Sequence, residues 1–191
     1  MKKQLLTLDT SCVISLLRLP EDSTNHNELE ALEQIQQWNI DKKIEISISE
    51  KSRTEAILNI DKAVQLDPQN RSRFEKWLKT LNILDNYETA SSRWILGISK
   101  LGIDTVLGSE SEKEDYDKIA HLLFGTSPEN LNEGDVFDLA ILLEHYIHGN
   151  DFFVTRDMKN NMLKKKSELK RNWNIIVCNP IEIMNILKNI I

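Results

Sequence analysis

The stretch Leu5-Leu6-Thr7-Leu8-Asp9-Thr10-Ser11 places a short, mostly apolar segment directly before an acidic residue. With a single polar position, Leu5–Leu8 is predicted to form a buried strand. Ser11 can cap a helix that we predict over Cys12–Arg18. Asp9 therefore lies where a buried strand ends and a helix begins, and the rest of the chain repeats this order of elements.

Strand-like and helix-like segments alternate along the chain. Further strands are predicted at Lys43–Ile48, Asn82–Leu84, Asp151–Thr155 and Asn174–Val177. Helices are predicted at Asn27–Trp38, from Ser49, from about Ala63 to Leu81, and at Ser92–Lys100, Glu114–Phe124, Asp135–His148, Lys159–Lys170 and from Pro180. This order predicts an α/β fold, a three-layer α/β/α sandwich with a mainly parallel central sheet. Sites in such sheets lie outside the carboxyl ends of the strands.

Length and composition are those of a globular protein with one domain. The 191 residues, 40% hydrophobic and 28% charged, fit a single domain over 1–191 with a helical insertion at about 60–130. The net charge of -6 argues against a generic nucleic-acid coat protein. Cys12 and Cys178 are too few for a disulfide framework or a zinc site and are expected to be buried thiols. Because no apolar run could cross a membrane and the amino terminus makes a poor signal peptide, we expect a cytoplasmic protein with no membrane partner.

Several acidic residues occupy positions where carboxylates can converge. Asp9 and Asp157 each follow an apolar strand, Asp135 and Asp138 share one helix face, and Glu55 lies in the first turns of its helix. Convergent carboxylates repel one another unless a cation lies between them, and Mg²⁺ or Mn²⁺ prefers such hard oxygen ligands. Each acid also has a simpler explanation, since a helix start favours a nearby acid and a surface glutamate is common.

Four sequence segments carry a resemblance to a known family: Leu8–Ile14, Ile48–Glu55, Asp135–His145 and Phe153–Asp157. In their order and predicted context the chain resembles the PIN-domain ribonucleases, the group that includes the toxins of bacterial toxin–antitoxin pairs. The final strand and helix, from Ile175 to Ile190, agree with this resemblance. It implies a PIN-like fold and a Mg²⁺- or Mn²⁺-dependent endoribonuclease.

The resemblance also implies roles for individual residues. The catalytic acids would be Asp9, Glu55, Asp135 and Asp157, of which Asp9, Asp135 and Asp157 would bind the metal ion and Glu55 would act through water. Supporting roles would fall to Thr10, Asp138 and Thr155. RNA, an antitoxin or other regulatory protein and a second copy of the chain are the expected partners. The middle of the chain is longer than in compact members, which leaves open the alternative of a PIN-like protein- or RNA-binding module with little turnover.

Other candidate chemistries are weaker. An aspartyl phosphatase would need a second acid two residues after Asp9, where this chain has Ser11. Glu144-His145 and His148 could form a helical metal pair, but no third ligand is apparent, so they are predicted to face solvent. A basic run that includes Lys159, Lys164 and Lys165 could contact the RNA backbone, although a solvated helix face is the usual role of such a run. Arg53 and Arg156 could add to this contact.

Overall fold

The computed structural model describes residues 3–17, 25–60, 68–84, 110–156 and 161–191. Within them five strands form one sheet: β1 (Gln4–Leu8), β2 (Ile44–Ile48), β3 (Asn82–Ile83), β4 (Phe152–Val154) and β5 (Val177–Cys178). The strands follow the order β3-β2-β1-β4-β5, and every neighbouring pair is parallel. This confirms the predicted α/β class and parallel sheet, with β1 at the centre.

Eight α-helices connect or follow these strands in the described residues. They are α1 (Thr10–Ser15), α2 (His26–Ile40), α3 (Glu50–Ile60), α4 (Pro68–Leu78), α5 (Glu110–Phe124), α6 (Glu133–His148), α7 (Lys166–Trp173) and α8 (Pro180–Lys188). The helix predicted from Lys159 begins only at Lys166, because residues 161–165 form turns. The helix predicted at Ser92–Lys100 lies outside the described residues. No helix in the described part of the chain is long and apolar enough to cross a membrane.

Two hydrophobic cores lie on opposite faces of the sheet. Phe152 and Val154 of β4 belong to the core that includes side chains of α1–α4 and α8. Phe153, between them, belongs to the other core, with α5, α6 and α7. Successive side chains of a strand point to opposite faces, so the alternation along β4 puts helices on both sides of the sheet. The arrangement is compatible with the predicted three-layer sandwich.

The carboxyl edge of the sheet brings together residues from distant parts of the chain. Leu8 of β1 is paired with Val154 of β4, and Asp9 and Thr155 follow them directly. The Asp9 backbone N–H donates to the Val154 carbonyl at 2.9 Å, which extends the pairing by one step. Asp9 and Thr155 therefore lie side by side at the carboxyl ends of the two neighbouring strands β1 and β4.

Strand β3 falls inside the segment predicted to be a helical insertion. Its two residues pair with Ser47 and Ile48 of β2, and the Leu84 N–H donates to the Ile48 carbonyl at 3.0 Å. Part of the 60–130 range thus forms an edge of the sheet. Residues 61–67 and 85–109 of that range lie outside the described residues.

The buried face of α3 is formed by Ser52, Ala56 and Ile60, four residues apart, while Ile57 is 48% exposed. One predicted helix face is wrong. Glu144 and His145 were expected on the solvent side of their helix, yet both are buried. The buried position of His145 is explained by a partner on β1.

That partner is the hydroxyl of Thr7, 2.9 Å from His145 Nδ1. The Asn150 side-chain amide also donates to this hydroxyl at 2.8 Å. The His145 ring packs edge-on against Phe153, with 5.5 Å between the ring centroids. Burial lowers the pKa of His145 to about 4, so the ring is neutral at pH 7 and forms part of the core.

Candidate active site

Asp9 occupies the start of α1 without capping it through its side chain. Its backbone is extended (φ -66°, ψ 155°), and its carbonyl accepts the Cys12 N–H at 3.0 Å. Ser11, the predicted cap, lies instead inside the first turn. The Asp9 carboxylate makes no capping hydrogen bond, although the residue is only 7% exposed. Asp9 therefore does not cap α1 through its side chain, although its charge at this position also interacts favourably with the helix dipole.

Two hydroxyl groups hold the Asp9 carboxylate. Ser11 Oγ donates to Asp9 Oδ2 at 2.7 Å, and Thr155 Oγ1 donates to the same oxygen at 2.8 Å. Thr155 is fully buried, and Ser11 Oγ in turn accepts the Arg156 backbone N–H at 3.3 Å. Hydrogen bonds to an ionised acceptor are stronger than those between neutral groups. The two donors therefore fix the orientation of a buried carboxylate.

Thr10 connects this region with α3. Its Oγ1 lies 2.7 Å from Ser52 Oγ, and Ser52 Oγ lies 2.8 Å from Ser49 Oγ. Ser49 and Ser52 are buried at the start of α3. The hydroxyl chain thus positions the amino-terminal turns of α3, which carry Glu55, against the residues that follow β1.

Lys51 joins α3 to the beginning of α6. Its Nζ lies 3.5 Å from Glu55 Oε1 and 3.2 Å from the centroid of the Phe137 ring. Phe137 stands between Asp135 and Asp138 in sequence. The contact therefore brings the helix of Glu55 next to the helix turn that carries the other two acids.

Asp135 is held at the start of α6 by Asn132. The Asn132 side-chain oxygen accepts the Asp135 backbone N–H at 3.0 Å, while its amide nitrogen donates to the Asp135 carboxylate. An acid in the first turn also interacts favourably with the helix dipole. Asp138 lies about one helical turn further on and is half-buried. Asn132, rather than Asp135, is the capping residue.

The described residues do not form a complete metal-binding cluster. Among residues 3–17, 25–60, 68–84, 110–156 and 161–191, no group of three or more His, Cys, Asp or Glu side chains could hold a metal ion. The predicted ligand Asp157 and the predicted RNA-binding residue Lys159 lie outside these ranges. Of the predicted ligands, the structure therefore describes Asp9 and Asp135.

Two of the predicted RNA-binding cations are paired with acids close to the site. The Arg156 guanidinium lies 3.2 Å from Glu28 of α2 and also donates to the Ser15 hydroxyl, with only 14% of its side chain exposed. Arg53 lies 3.5 Å from Glu50. The Arg156 pair ties the end of β4 to α1 and α2, which makes its guanidinium less accessible to a phosphate.

The other two described cations belong to the segment around the start of α7. Lys165 lies 3.4 Å from Glu168, and the side chain of Lys164 is exposed. An exposed ion pair of this kind contributes little to stability and breaks easily. Lys164, Lys165 and Arg53, whose ion pair with Glu50 is similarly exposed, are therefore more accessible than Arg156.

Cys12 adjoins Asp9 but does not have the properties of a nucleophile. Burial, and then the nearby Asp9 charge, raise the pKa of the Cys12 thiol well above its ordinary value. Its Sγ lies 3.5 Å from the Val154 carbonyl oxygen, to which it donates. A thiol that remains protonated is a poor nucleophile, so Cys12 is not a candidate for nucleophilic chemistry at this edge.

Three residues at the site were not singled out from the sequence: Ser11 as a carboxylate donor, Ser52 and Lys51. Lys51 precedes Glu55 by four residues, a spacing that favours an ion pair on a helix, so its pairing could have been inferred. Its contact with Phe137 spans 86 positions and has no local sequence signal. No family model matches the chain, and no curated protein matches it. The case for a function therefore depends on the residues themselves.

Proposed function

We propose that the protein is a metal-dependent endoribonuclease with a PIN-like fold, whose acidic centre lies at the carboxyl edge of the sheet. The observation that supports this most is Asp9, a buried carboxylate that follows the central strand and is oriented by two hydroxyl donors. Burying a charge is costly unless the group is hydrogen-bonded or binds a cation. The two hydroxyl donors offset part of that cost, and the position of this carboxylate at the edge where parallel sheets bind ligands supports a role in a site.

The donor chemistry of the predicted residues fits Mg²⁺ or Mn²⁺. These ions accept one or two protein carboxylates and keep several waters, so a site need not contain three adjacent acids. Asp9, Asp135 and Asp157 would hold the ion, which would supply a more acidic bound water and stabilise charge on a phosphate. Ser11 and Thr155 would orient Asp9, while Asn132 would orient Asp135.

The remaining described side chains would control charge around the substrate. Lys51 partly neutralises Glu55 and so lowers the repulsion that an RNA phosphate would meet at this edge. Thr10 and Ser52 maintain the spacing between α1 and α3. Asp138, on the next turn of α6, would add an acid at the border of the site.

Cleavage of a mixed RNA pool tests this function directly. Purified protein is incubated with Mg²⁺, with Mn²⁺ or with EDTA, beside Asp9→Asn, Asp135→Asn and the control Glu114→Gln. Glu114 is a suitable control because it is 69% exposed and, among the residues that the structure describes, pairs with the exposed Lys118 on α5. We expect metal-dependent cleavage that both Asn variants abolish and the control keeps. Equal cleavage by all four proteins would refute the assignment.

The second candidate is a PIN-like module that binds RNA or a protein with little turnover. The Lys51–Glu55 ion pair favours it, since an ammonium group competes with a metal ion for the same carboxylate. Metal binding that saturates at one site, without any RNA cleavage, would support this function over the first. Replacing Lys51 by Met would then strengthen metal binding without creating activity.

A toxin role belongs to the same proposal. It requires a small regulatory protein that binds this chain and suppresses cleavage, and it is compatible with a homodimer in the cytoplasm. A gene for a small DNA-binding protein directly upstream would support it. Co-expression of that protein should restore growth to cells in which this chain alone is toxic, whereas Asp9→Asn should be harmless without it.

A further inference from the structure

A cavity lies at the opposite edge of the sheet, away from Asp9. It has a volume of about 750 Å³ and is lined by side chains that include Lys3, Lys42, Glu45, Arg73, Lys76 and Trp77. Lys3 precedes β1 and Lys42 lies before β2, so the cavity faces the amino ends of these strands. Five residues of β1 separate it from Asp9, which corresponds to roughly 17 Å along an extended strand.

The lining of this cavity is strongly basic in a protein whose net charge is -6. Its single carboxylate, Glu45, lies 3.2 Å from Lys3. Within the described residues no ion pair joins Lys42, Arg73 or Lys76 to an acid. Three cations thus remain uncompensated around one cavity.

Helix dipoles do not account for this concentration of charge. Helices α2 and α4 both end beside the cavity, and a helix carboxyl end carries roughly half of a negative elementary charge. Two such ends are balanced by about one cation, whereas three are present. The Asp41 carboxylate, which accepts a hydrogen bond from the lining residue Gln37, offsets a further part of this charge, and the remainder is available to a ligand.

The wall of the cavity is rigid and partly aromatic. Trp77 Nε1 donates to Asn39 Oδ1 at 3.1 Å, and the Trp77 ring packs against Phe74 with 5.5 Å between centroids. Asn39 is fixed in turn, because its amide donates to the Ile44 carbonyl at 3.3 Å. Hydrogen bonds therefore hold the aromatic part of the wall in place, and the cations extend from this region as exposed side chains.

Lys42 has a backbone conformation that disfavours a side chain. Its φ is 59°, in the left-handed region where glycine is the usual residue after a helix. The turn is closed by hydrogen bonds from the Lys42 N–H to Asn39 and from the Lys43 N–H to Trp38. Lys42 keeps this conformation without glycine, and its charge at the carboxyl end of α2 also lines the cavity.

We propose that this cavity binds the phosphate group of a nucleotide, either free or within single-stranded RNA. The volume is that of a small-molecule site, and the Arg73 guanidinium can donate two hydrogen bonds to one phosphate while Lys42 and Lys76 add point charges. The proposal does not depend on metal binding or on cleavage. If the nuclease function is correct, the cavity would hold an RNA segment remote from the cut.

Fluorescence anisotropy with a labelled single-stranded RNA in EDTA tests the cavity without cleavage. Arg73→Gln and Lys76→Gln are compared with Lys118→Gln and Arg171→Gln, which remove exposed cations from α5 and α7. We expect each cavity variant to weaken binding several-fold and to reduce the slope of log K against log salt by about 0.7, the value for one phosphate contact on a single strand. The two controls should behave like the wild type.

The variant Lys42→Gly distinguishes an effect on ligand binding from an effect on stability. Glycine adopts the left-handed conformation without strain, so the variant should be at least as stable as the wild type and yet bind RNA more weakly. If a nucleoside monophosphate displaces the labelled RNA, a free nucleotide is a ligand of the cavity. If it does not displace the RNA, the ligand is a phosphate within RNA. Wild-type protein that binds neither probe, or cavity variants that lose no more affinity than the controls, would overturn the proposal.

Discussion

The Thr155 hydroxyl and the Asp9 carboxylate come from positions 146 residues apart, and their 2.8 Å contact defines the centre of the candidate site. Thr155→Val removes the donor with little change in volume and leaves one buried hydrogen bond of Asp9 unmade. We expect a loss of about 1–3 kcal/mol in the free energy of unfolding. Metal affinity should fall as well, because Asp9 is less firmly oriented.

Thr155→Ser is the matched control for this prediction, since it keeps the hydroxyl. Urea denaturation gives the stability of both variants, and calorimetric titration with Mn²⁺ gives their metal affinity. A Val variant as stable and as metal-competent as the Ser variant would show that the hydrogen bond has no role in the site.

His145 makes stability depend on pH. The buried ring has a pKa of about 4, below the ordinary value of 6.5, so the unfolded chain takes up a proton more readily than the folded protein. The stability contributed by the neutral ring is complete above about pH 6.5 and is lost as the pH falls towards 4. The full loss amounts to roughly 3 kcal/mol at 1.36 kcal/mol per unit of pKa.

His145→Asn should lack this pH-dependent part of the stability, because an amide can still form a hydrogen bond with Thr7 but does not titrate. Urea denaturation of both proteins between about pH 4 and 6.5 measures the free energy of unfolding. The difference between wild type and variant should shrink as the pH falls, and a constant difference would contradict the assignment of a low pKa to His145.

Helices α3 and α6 are joined through Lys51 and Phe137, which is the contact that brings Glu55 towards Asp135. A cation over an aromatic ring at a partly exposed position contributes about 0.5–1 kcal/mol. A double-mutant cycle of Lys51→Gln and Phe137→Leu should therefore give a coupling energy of that size in urea denaturation. Pairing Arg53→Gln with Phe137→Leu is the control and should give additive effects, since Arg53 pairs with Glu50.

The order of elements could be predicted from the sequence because each strand and helix has a local pattern. β1 is an apolar run, α8 begins with Asn179 and Pro180, and Gly149 ends α6 in a left-handed conformation (φ 63°). The sequence pattern gave the wrong prediction where a hydrogen-bond partner on another element determines whether a side chain is buried. His145 is inside because Thr7 of the facing strand provides a hydrogen bond, and no periodicity within α6 indicates that.

In the candidate site, too, some residues could be predicted from local sequence patterns and others depend on tertiary contacts. Asp9 could be predicted because an acid directly after a buried strand of a parallel sheet points to the functional edge. The role of Ser11, the hydroxyl chain from Thr10 to Ser52 and the Lys51–Phe137 contact depend on tertiary pairing. Strand order is also a property of pairing, so the central position of β1 became apparent only in the folded chain.

Taken as a whole, the molecule places its candidate acids and its basic cavity at opposite edges of the sheet. The buried Asp9 and the acids of α3 and α6 lie towards the carboxyl edge, and the basic cavity lies at the amino edge. A cation that binds the acids only in the folded protein stabilises it by mass action, by about 2.7 kcal/mol at a concentration one hundred times its dissociation constant. Metal binding should therefore be visible in global stability, without any assay of activity.

Thermal denaturation with and without Mn²⁺ measures this effect. For a chain of 191 residues, each kcal/mol raises Tm by about 2–4 °C, so saturating Mn²⁺ should raise it by roughly 5–10 °C. Asp9→Asn should lose most of this increase relative to its own metal-free form, because the neutral amide cannot supply the charge that the cation binds. Glu114→Gln changes the net charge equally and should keep it, so the same increase in Tm for all three proteins would place metal binding elsewhere.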